Sequence, residues 1–383
     1  MNTIRRARPG NQDGFTLPEL LVTALIGMII LGVIASLYFA NRRVYQHQES
    51  YARLQETGRY LMGRVGADVR NATYSGCGPI STLVNVVSNN TTSWWLNTNR
   101  MIWGYDQGGA LPTELSGSVA DSDALVVLHR GVAGEFMITG HDLTNKRFTT
   151  GANHTFAQGS VLFATDCARS GVFRMSNAVG GPTAIVEYEA GALGGGYDND
   201  AAVGLTPTKF ANGGFISPMV ASAYYVTLST DAAFTTNPCP SEDAGWTRRV
   251  LAVRTLAGST TGQVAAPQPV ACDVHNFQVR FGLDNDGDLS ADEFRTATDL
   301  GTDQALWGRV VSVRTDFLVV NSRQNTLESD HRYCLDYAGG ANPESCPAAA
   351  NTTYTQVWNS TAANGRRAAK VFTTTFNFRN RTS

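Results

Sequence analysis

Lysine is almost missing from this chain. Of 30 basic residues in 383, three are Lys: Lys146, Lys209 and Lys370. The Arg residues are scattered and form no stripe, so a dedicated phosphate or carboxylate reader is not implied. Codon bias in a GC-rich genome is the simpler reading of this imbalance. Charge as a whole is scarce, at 16% of residues, against roughly 25% in an average globular domain. A formal net charge of -2 argues against a general nucleic-acid-binding surface. Hydrophobic residues at 43% exclude a disordered chain. A mean hydropathy of -0.15 excludes a polytopic membrane protein. There is no C-x-x-C pair to support a zinc or thioredoxin-like site. The six His (His47, His129, His141, His154, His275, His331) show no H-E-x-x-H spacing. With no G-x-S-x-G elbow and no P-loop either, an enzyme is not expected.

What is present in strength is one apolar run. Leu20 to Ala40 reads LLVTALIGMIILGVIASLYFA, 21 residues without a charge. As a helix it spans about 30 Å, enough to cross a bilayer. Arg5, Arg6 and Arg8 precede it, which fits a cytoplasmic N-terminus. Arg42 and Arg43 follow it and argue weakly the other way. No A-x-A cleavage site follows the run, so an ordinary secretory signal is a poor fit. Glu19 stands at its head. A carboxylate there is costly in lipid and is a functional candidate, unless it simply lies among the headgroups.

The segment Gly14-Phe15-Thr16-Leu17-Pro18-Glu19-Leu20 resembles the class III signal of type IV prepilins and type II secretion pseudopilins. The resemblance implies that a prepilin peptidase cuts between Gly14 and Phe15 and that Phe15 becomes N-methylated. It also implies that the Glu19 carboxylate pairs with the N-terminal amine of a neighbouring subunit during assembly, which makes its burial tolerable. Pro18 departs from the usual aliphatic residue. It is acceptable there because the first helical N–H groups have no intrahelical partner. Loss of residues 1–14 removes three Arg and one Asp, so 30 basic and 32 acidic residues become 27 and 31, a net charge of -4.

The helix is expected to continue to about Asn71. Leu54, Gly58, Leu61, Val65 and Val69 lie on one face, and Glu49, Arg53, Glu56, Arg59, Arg64 and Asp68 lie on the other. Gly58, Gly63 and Gly66 weaken a helix, so close packing of another element is expected at them. The segments Leu54-Gln55-Glu56-Thr57-Gly58-Arg59-Tyr60, Asp68-Val69-Arg70-Asn71-Ala72 and Tyr74-Ser75-Gly76-Cys77 resemble, in order, the LQE-x-GR, DLR and GC segments of the PilW family of minor pilins. Trp307 to Arg314, and Val371 to Arg381, resemble it again. The resemblance implies an α+β pilin-like fold: a long N-terminal helix, half transmembrane, packed on an antiparallel β-sheet, with a large β-rich insertion. The expected organisation is a leader (1–14), a transmembrane part (15–40), an amphipathic continuation (41–72) and a periplasmic domain (73–383). Within that domain, about 83–268 would be the insertion and 273–383 the C-terminal sheet.

Apolar or alternating runs mark ten strands: Leu83 to Val87, Ala124 to His129, Val161 to Ala164, Gly171 to Met175, Ala184 to Tyr188, Ala223 to Leu228, Val250 to Arg254, Phe277 to Phe281, Arg309 to Val320 and Lys370 to Phe378. Gly191 to Asn199 reads as a loop, since it lacks the flanks of a phosphate cradle. Cys77, Cys167, Cys239, Cys272, Cys334 and Cys346 are even in number, which in an exported domain favours disulfides over free thiols. Cys334 with Cys346 is the easiest pair to credit, because Gly339, Gly340 and Pro343 lie between them. Cys77–Cys167 and Cys239–Cys272 would complete the set. With charge so scarce, disulfides rather than ion pairs are expected to brace this domain.

Asp284, Asp286, Asp288, Ser290 and Asp292 fall at positions one, three, five, seven and nine of a loop opening like an EF-hand. That pattern converges oxygens on a hard cation, making Ca²⁺ the candidate ligand. Leu289 stands where Gly belongs at position six, and Arg295 where Glu belongs at twelve; Asp292 or Glu293 would have to substitute. The alternative is a solvated Asp/Asn/Gly turn.

The family resemblance implies a minor pilin, held in the inner membrane with a periplasmic C-terminal domain and later carried on the pilus. It would act in a tip or priming complex. Implied partners are other minor pilins, the major pilin, the prepilin peptidase, the inner-membrane assembly platform and a PilY-type tip adhesin. A GspJ-like type II secretion pseudopilin and a calcium-dependent adhesin module are the alternatives.

Overall fold

The computed structural model describes residues 16–72, 83–107, 109–131, 134–178, 183–191, 193, 196–205, 209–240, 243, 245–256, 264–337 and 354–378. The chain divides into two compact units, 1–52 and 53–383. The first holds the start of helix α1, Leu17–Asn71, a single α-helix of 55 residues. Its apolar window has a mean hydropathy of 2.7 and is nowhere buried, so it is long and apolar enough to cross a membrane.

From Arg53 onward α1 belongs to the second unit. Leu54, Leu61, Val65 and Val69 are buried there, the stripe expected from the spacing. Two of its three glycines permit close approach. A Cβ on Gly58 would strike the Phe372 ring and one on Gly66 the Phe376 ring, whereas Gly63 faces open space. The expectation for Gly63 is thus corrected: it lies on the exposed side of α1. Arg64 and Asp68 also depart from a purely solvated face. They pair at 2.9 Å, and the Tyr224 hydroxyl donates to Asp68 at 2.7 Å.

The strands fall into three sheets. In chain order the first group is β1 (Leu83–Asn85), β2 (Ile102–Tyr105), β3 (Ala124–Arg130), β4 (Phe136–Asp142), β5 (Arg147–His154), β6 (Val161–Thr165), β7 (Ser170–Arg174), β8 (Thr183–Glu187), β9 (Phe215–Leu228), β10 (Arg249–Thr255) and β11 (Gln268–Cys272). All are antiparallel neighbours except β1, which runs parallel to β7. Strand β9 joins two layers. Its start, Phe215 to Pro218, pairs with β4 and β6, and Met219 to Leu228 pairs with β3 and β10. Pro218 stands at the change of partners, where a missing N–H is tolerated. Phe148, Leu162, Phe173, Val186, Phe210 and Ile216 fill the core beneath the first layer.

The second sheet runs β13 (Glu293–Arg295), β12 (Val274–Leu283), β14 (Val310–Val320) and β17 (Ala369–Asn377). Short helices α2 (Ala297–Leu300) and α3 (Gln304–Gly308) link β13 to β14. β17 carries the rings that meet α1. The N-terminal half of β12 lies beside the 121–123 segment. Ser122 exchanges hydrogen bonds with Phe277, and Asp123 accepts from the Val279 N–H at 2.8 Å. That covers an edge that would otherwise template pairing. β15 (His331–Tyr337) and β16 (Tyr354–Ser360) form a separate hairpin. Leu335 of β15 packs with Leu318 and Val320 of β14.

The fold is therefore α+β, with a long N-terminal helix and several antiparallel or mixed sheets. All ten expected strands are present, and β9 is longer at its start. Strands β2, β4, β5, β11, β13, β15 and β16 and both short helices were not expected.

Candidate assembly and metal sites

Gly14 and Phe15 lie outside the described residues. Glu19 does not. Its carboxylate Oε2 accepts from the Thr16 N–H at 3.0 Å and from the Thr16 hydroxyl at 2.8 Å. Glu19 thus reaches back to the Thr16 N–H, one arm of a capping box, while the Thr16 hydroxyl donates to the same carboxylate, and Pro18 sits inside that turn. The T-x-x-E spacing is readable in the sequence, and Thr16 is the residue that the reading from burial cost overlooked. An acceptor carboxylate at the positive end of a helix is also favoured by the helix dipole.

Cys239 and Cys272 are bonded, with Cα atoms 5.9 Å apart. Cys167 and Cys334 are disulfide-bonded as well. Cys77 and Cys346 lie outside the described residues, so the pairs Cys77–Cys167 and Cys334–Cys346 are not placed. Disulfides are not the sole bracing. Arg248 forms a two-point pair with Asp273 at 2.7 Å, beside Cys272. Arg367, only 1% exposed, pairs with Asp243 at 2.7 Å and lies 4.3 Å from the Trp246 ring centre. The expectation of bracing without ion pairs is corrected here: few charges are available, but the buried Arg367 and the half-buried Arg248 use them at full contact.

The acidic loop follows β12. Carboxylate oxygens of Asp284, Asp286 and Asp292 lie within 4.8 Å of one another. Asp288 is outside this group; its Oδ1 accepts from the Ser290 N–H at 2.7 Å. Glu293 pairs with Arg295 at 2.8 Å and accepts from Asn285 at 3.1 Å. Those two donors, Asn285 first, hold its carboxyl below the ordinary value. Partial desolvation raises the Asp284 carboxyl, but the N–H groups of Gly287, Leu289, Asp286 and Asp288 outweigh it and leave its pKa lowered. Leu289 has φ +68, the left-handed turn that Gly normally supplies at position six. Three hard oxygen donors and this turn fit a cation of the Ca²⁺ class. The twelfth position does not, because Arg295 is there.

Residues 223–380 match the family model described as Type IV Pilus-assembly protein W. Residues 9–35 match the prokaryotic N-terminal methylation motif. No curated protein and no solved structure matches the chain. The first match begins inside β9 and takes in every later strand; the second contains the Thr16–Glu19 turn.

Proposed function

We infer from these two matches that the chain is a type IV pilus-related minor pilin of the PilW kind, and we propose that it works in the priming or tip complex of the pilus. The single observation that carries the assembly role is Glu19 at the head of an apolar helix, inside a matched methylation motif. In the chain alone, that carboxylate is satisfied by its own Thr16. In the proposed assembly it exchanges this local bond for the charged amine of a neighbour's processed N-terminus, a stronger charge-assisted contact in lipid. Cleavage between Gly14 and Phe15 and methylation of Phe15 belong to the same proposal. So do the partners: other minor pilins, the major pilin, the prepilin peptidase, the assembly platform and a PilY-type adhesin. The membrane-anchored form precedes the pilus-borne one.

The test uses two variants in the native host. Glu19→Gln keeps an acceptor for Thr16 but loses the charge; Glu19→Ala loses both. Both should be processed and found in the membrane fraction, and both should be missing from sheared pili. Wild-type amounts of Glu19→Gln in pili would sink the charge-pairing role. A deletion strain with normal pili and lost adhesion would favour the adhesin alternative.

A cation at Asp284, Asp286 and Asp292 is a second element of the proposal, supported by their spacing and by the left-handed Leu289. Bound Ca²⁺ would supply loop rigidity. Calorimetry of the full-length protein with Ca²⁺ should show binding and a raised melting temperature, both lost in Asp284→Ala. A silent titration removes the element.

A further inference from the structure

One cleft in the second unit is used by none of the roles above. It has a volume of about 620 Å³, inside the range typical of small-molecule sites. One wall is the 91–110 segment, including β2; the other is α2, α3 and the turn between them.

Strand β2 brings an open edge to this cleft. Antiparallel partners alternate between pairs that exchange hydrogen bonds and pairs that do not. The Leu128 N–H donates to the Met101 carbonyl, which makes these two a bonded pair. By the register, Trp103 and Tyr105 then bond to β3, while Ile102 and Gly104 turn their backbone groups away from it. The far side of β3 agrees. Gly131 donates to Pro218, which puts Val127 and Leu125, the residues opposite Ile102 and Gly104, in bonded pairs with β9. The Gly104 N–H and carbonyl therefore point outward, and they have no partner among the described residues. Gly104 itself lines the cleft. An unpaired edge of this kind is a template for another extended main chain.

The lining also carries one charge of each sign, Arg100 and Asp106, and both are half-exposed. Asp106 accepts from the N–H groups of Ala297 at 3.0 Å and Thr298 at 2.7 Å, at the start of α2. Arg100 donates to the carbonyls of Gly301 at 3.4 Å and Thr302 at 2.8 Å, just past the end of α2. All four partners are neutral backbone groups, so both charges remain. Both side chains also have capacity left: each carboxylate oxygen has a second lone pair, and the guanidinium has further N–H groups. Helix α2 fixes their spacing. Its rise from Ala297 to Gly301 is about 6 Å, and the bonds at its two ends set the charges roughly 10 Å apart.

A ligand with a single charge answers only one of these groups. A free amino acid carries both charges, but its ammonium and carboxylate lie only about 3 Å apart. Two or three extended residues, at about 3.4 Å each, span the gap. Their main chain also supplies the N–H and C=O that the Gly104 edge lacks. We propose that the cleft binds a short extended peptide with free ends, its carboxylate against Arg100, its ammonium against Asp106 and its main chain against Gly104. The proposal stands on the cleft alone and does not depend on the pilin reading.

The full-length protein in detergent is titrated by calorimetry with Ala-Ala and Ala-Ala-Ala, with their N-acetylated and C-amidated forms, and with alanine and acetate. At least one free peptide should bind saturably, with a dissociation constant in the millimolar range or tighter. Blocking either end should weaken binding about tenfold, the worth of one charge-assisted hydrogen bond. Methylating the peptide nitrogen, which removes the main-chain N–H, should weaken it as well. Asp106→Asn keeps an acceptor for α2 and removes the charge, so it should bind acetylated and free peptides equally. Arg100→Gln should likewise lose the preference for a free carboxylate. If either variant fails to fold, the ligand series on the wild-type chain decides. Absence of saturable binding by any peptide overturns the proposal. So does equal binding of blocked and free peptides to the wild-type protein, or binding of alanine or acetate as tight as that of the peptides.

Discussion

Three glycines on one helix have opposite roles. Gly58 and Gly66 face Phe372 and Phe376 with no room for a methyl group. Gly66→Ala should therefore lower stability by about 1–3 kcal/mol, the usual range for overpacking. Gly63 faces open space, so Gly63→Ala should raise stability by up to about 1 kcal/mol through helix propensity. Urea denaturation of the detergent-solubilised protein reads both signs in one experiment. Two histidines set a pH limit at the same scale. Burial, then Lys209, pushes His141 down to about 4; burial, then Arg249, pushes His275 down to about 3. His141 accepts the Phe210 N–H at Nδ1, so its proton sits on Nε2, facing the Tyr188 hydroxyl at 2.8 Å. Both are neutral when folded and charge more readily when unfolded. Stability is thus fully present above pH 6.5, the ordinary histidine value, and falls as pH drops toward about 4. The slope is at most about 1.4 kcal/mol per pH unit for each His. A urea midpoint no lower at pH 5 than at pH 7.5 would contradict this.

At the scale of elements, the helix joins the second unit through a polar contact as well as an apolar stripe. Tyr224 of β9 reaches Asp68 of α1, and Arg64 lies 5.7 Å from the Tyr224 ring centre. Tyr224→Phe should cost about 1–2 kcal/mol, since Asp68 loses a donor in a partly buried place. An unchanged melting temperature would show that Arg64 alone suffices. Which elements were legible follows from their surroundings. Strands such as β3, β6 and β14 are buried along their whole length. β3 and β6 therefore open as apolar runs, and β14 shows valines at both ends around the buried Ser312, Arg314, Thr315 and Asp316. β4 and β5 pair as a hairpin with exposed positions and carry Gly140 and Gly151, so their sequences lack alternation. The opening of β9 contains Pro218, which argues against a strand until its change of partners is known.

For the whole molecule, the N-terminal motif was readable because its chemistry is contiguous. Seven adjacent residues, Gly14 to Leu20, carry the resemblance to a prepilin signal, and the Thr16–Glu19 turn falls within them. The acidic loop was equally contiguous, but which carboxylates converge was not readable. Asp288 turned to its own backbone, and Glu293 to Arg295. The cleft was invisible in sequence, because Arg100 and Asp106 meet their partners about 200 positions away. Of the disulfides, only the Cys239–Cys272 guess is placed.

That bond has a mechanical consequence. It spans 33 positions and encloses β10 and β11, whereas β9, which pairs with β10, precedes it. When a chain is pulled from its two ends, the bonded stretch cannot add to its extension. At about 3.4 Å per residue, roughly 110 Å of contour length stays locked. A pulling measurement on single molecules should release that extra length only after Cys239–Cys272 is reduced. While the bond is intact, a load that breaks the surrounding strands would leave this part of the protein short.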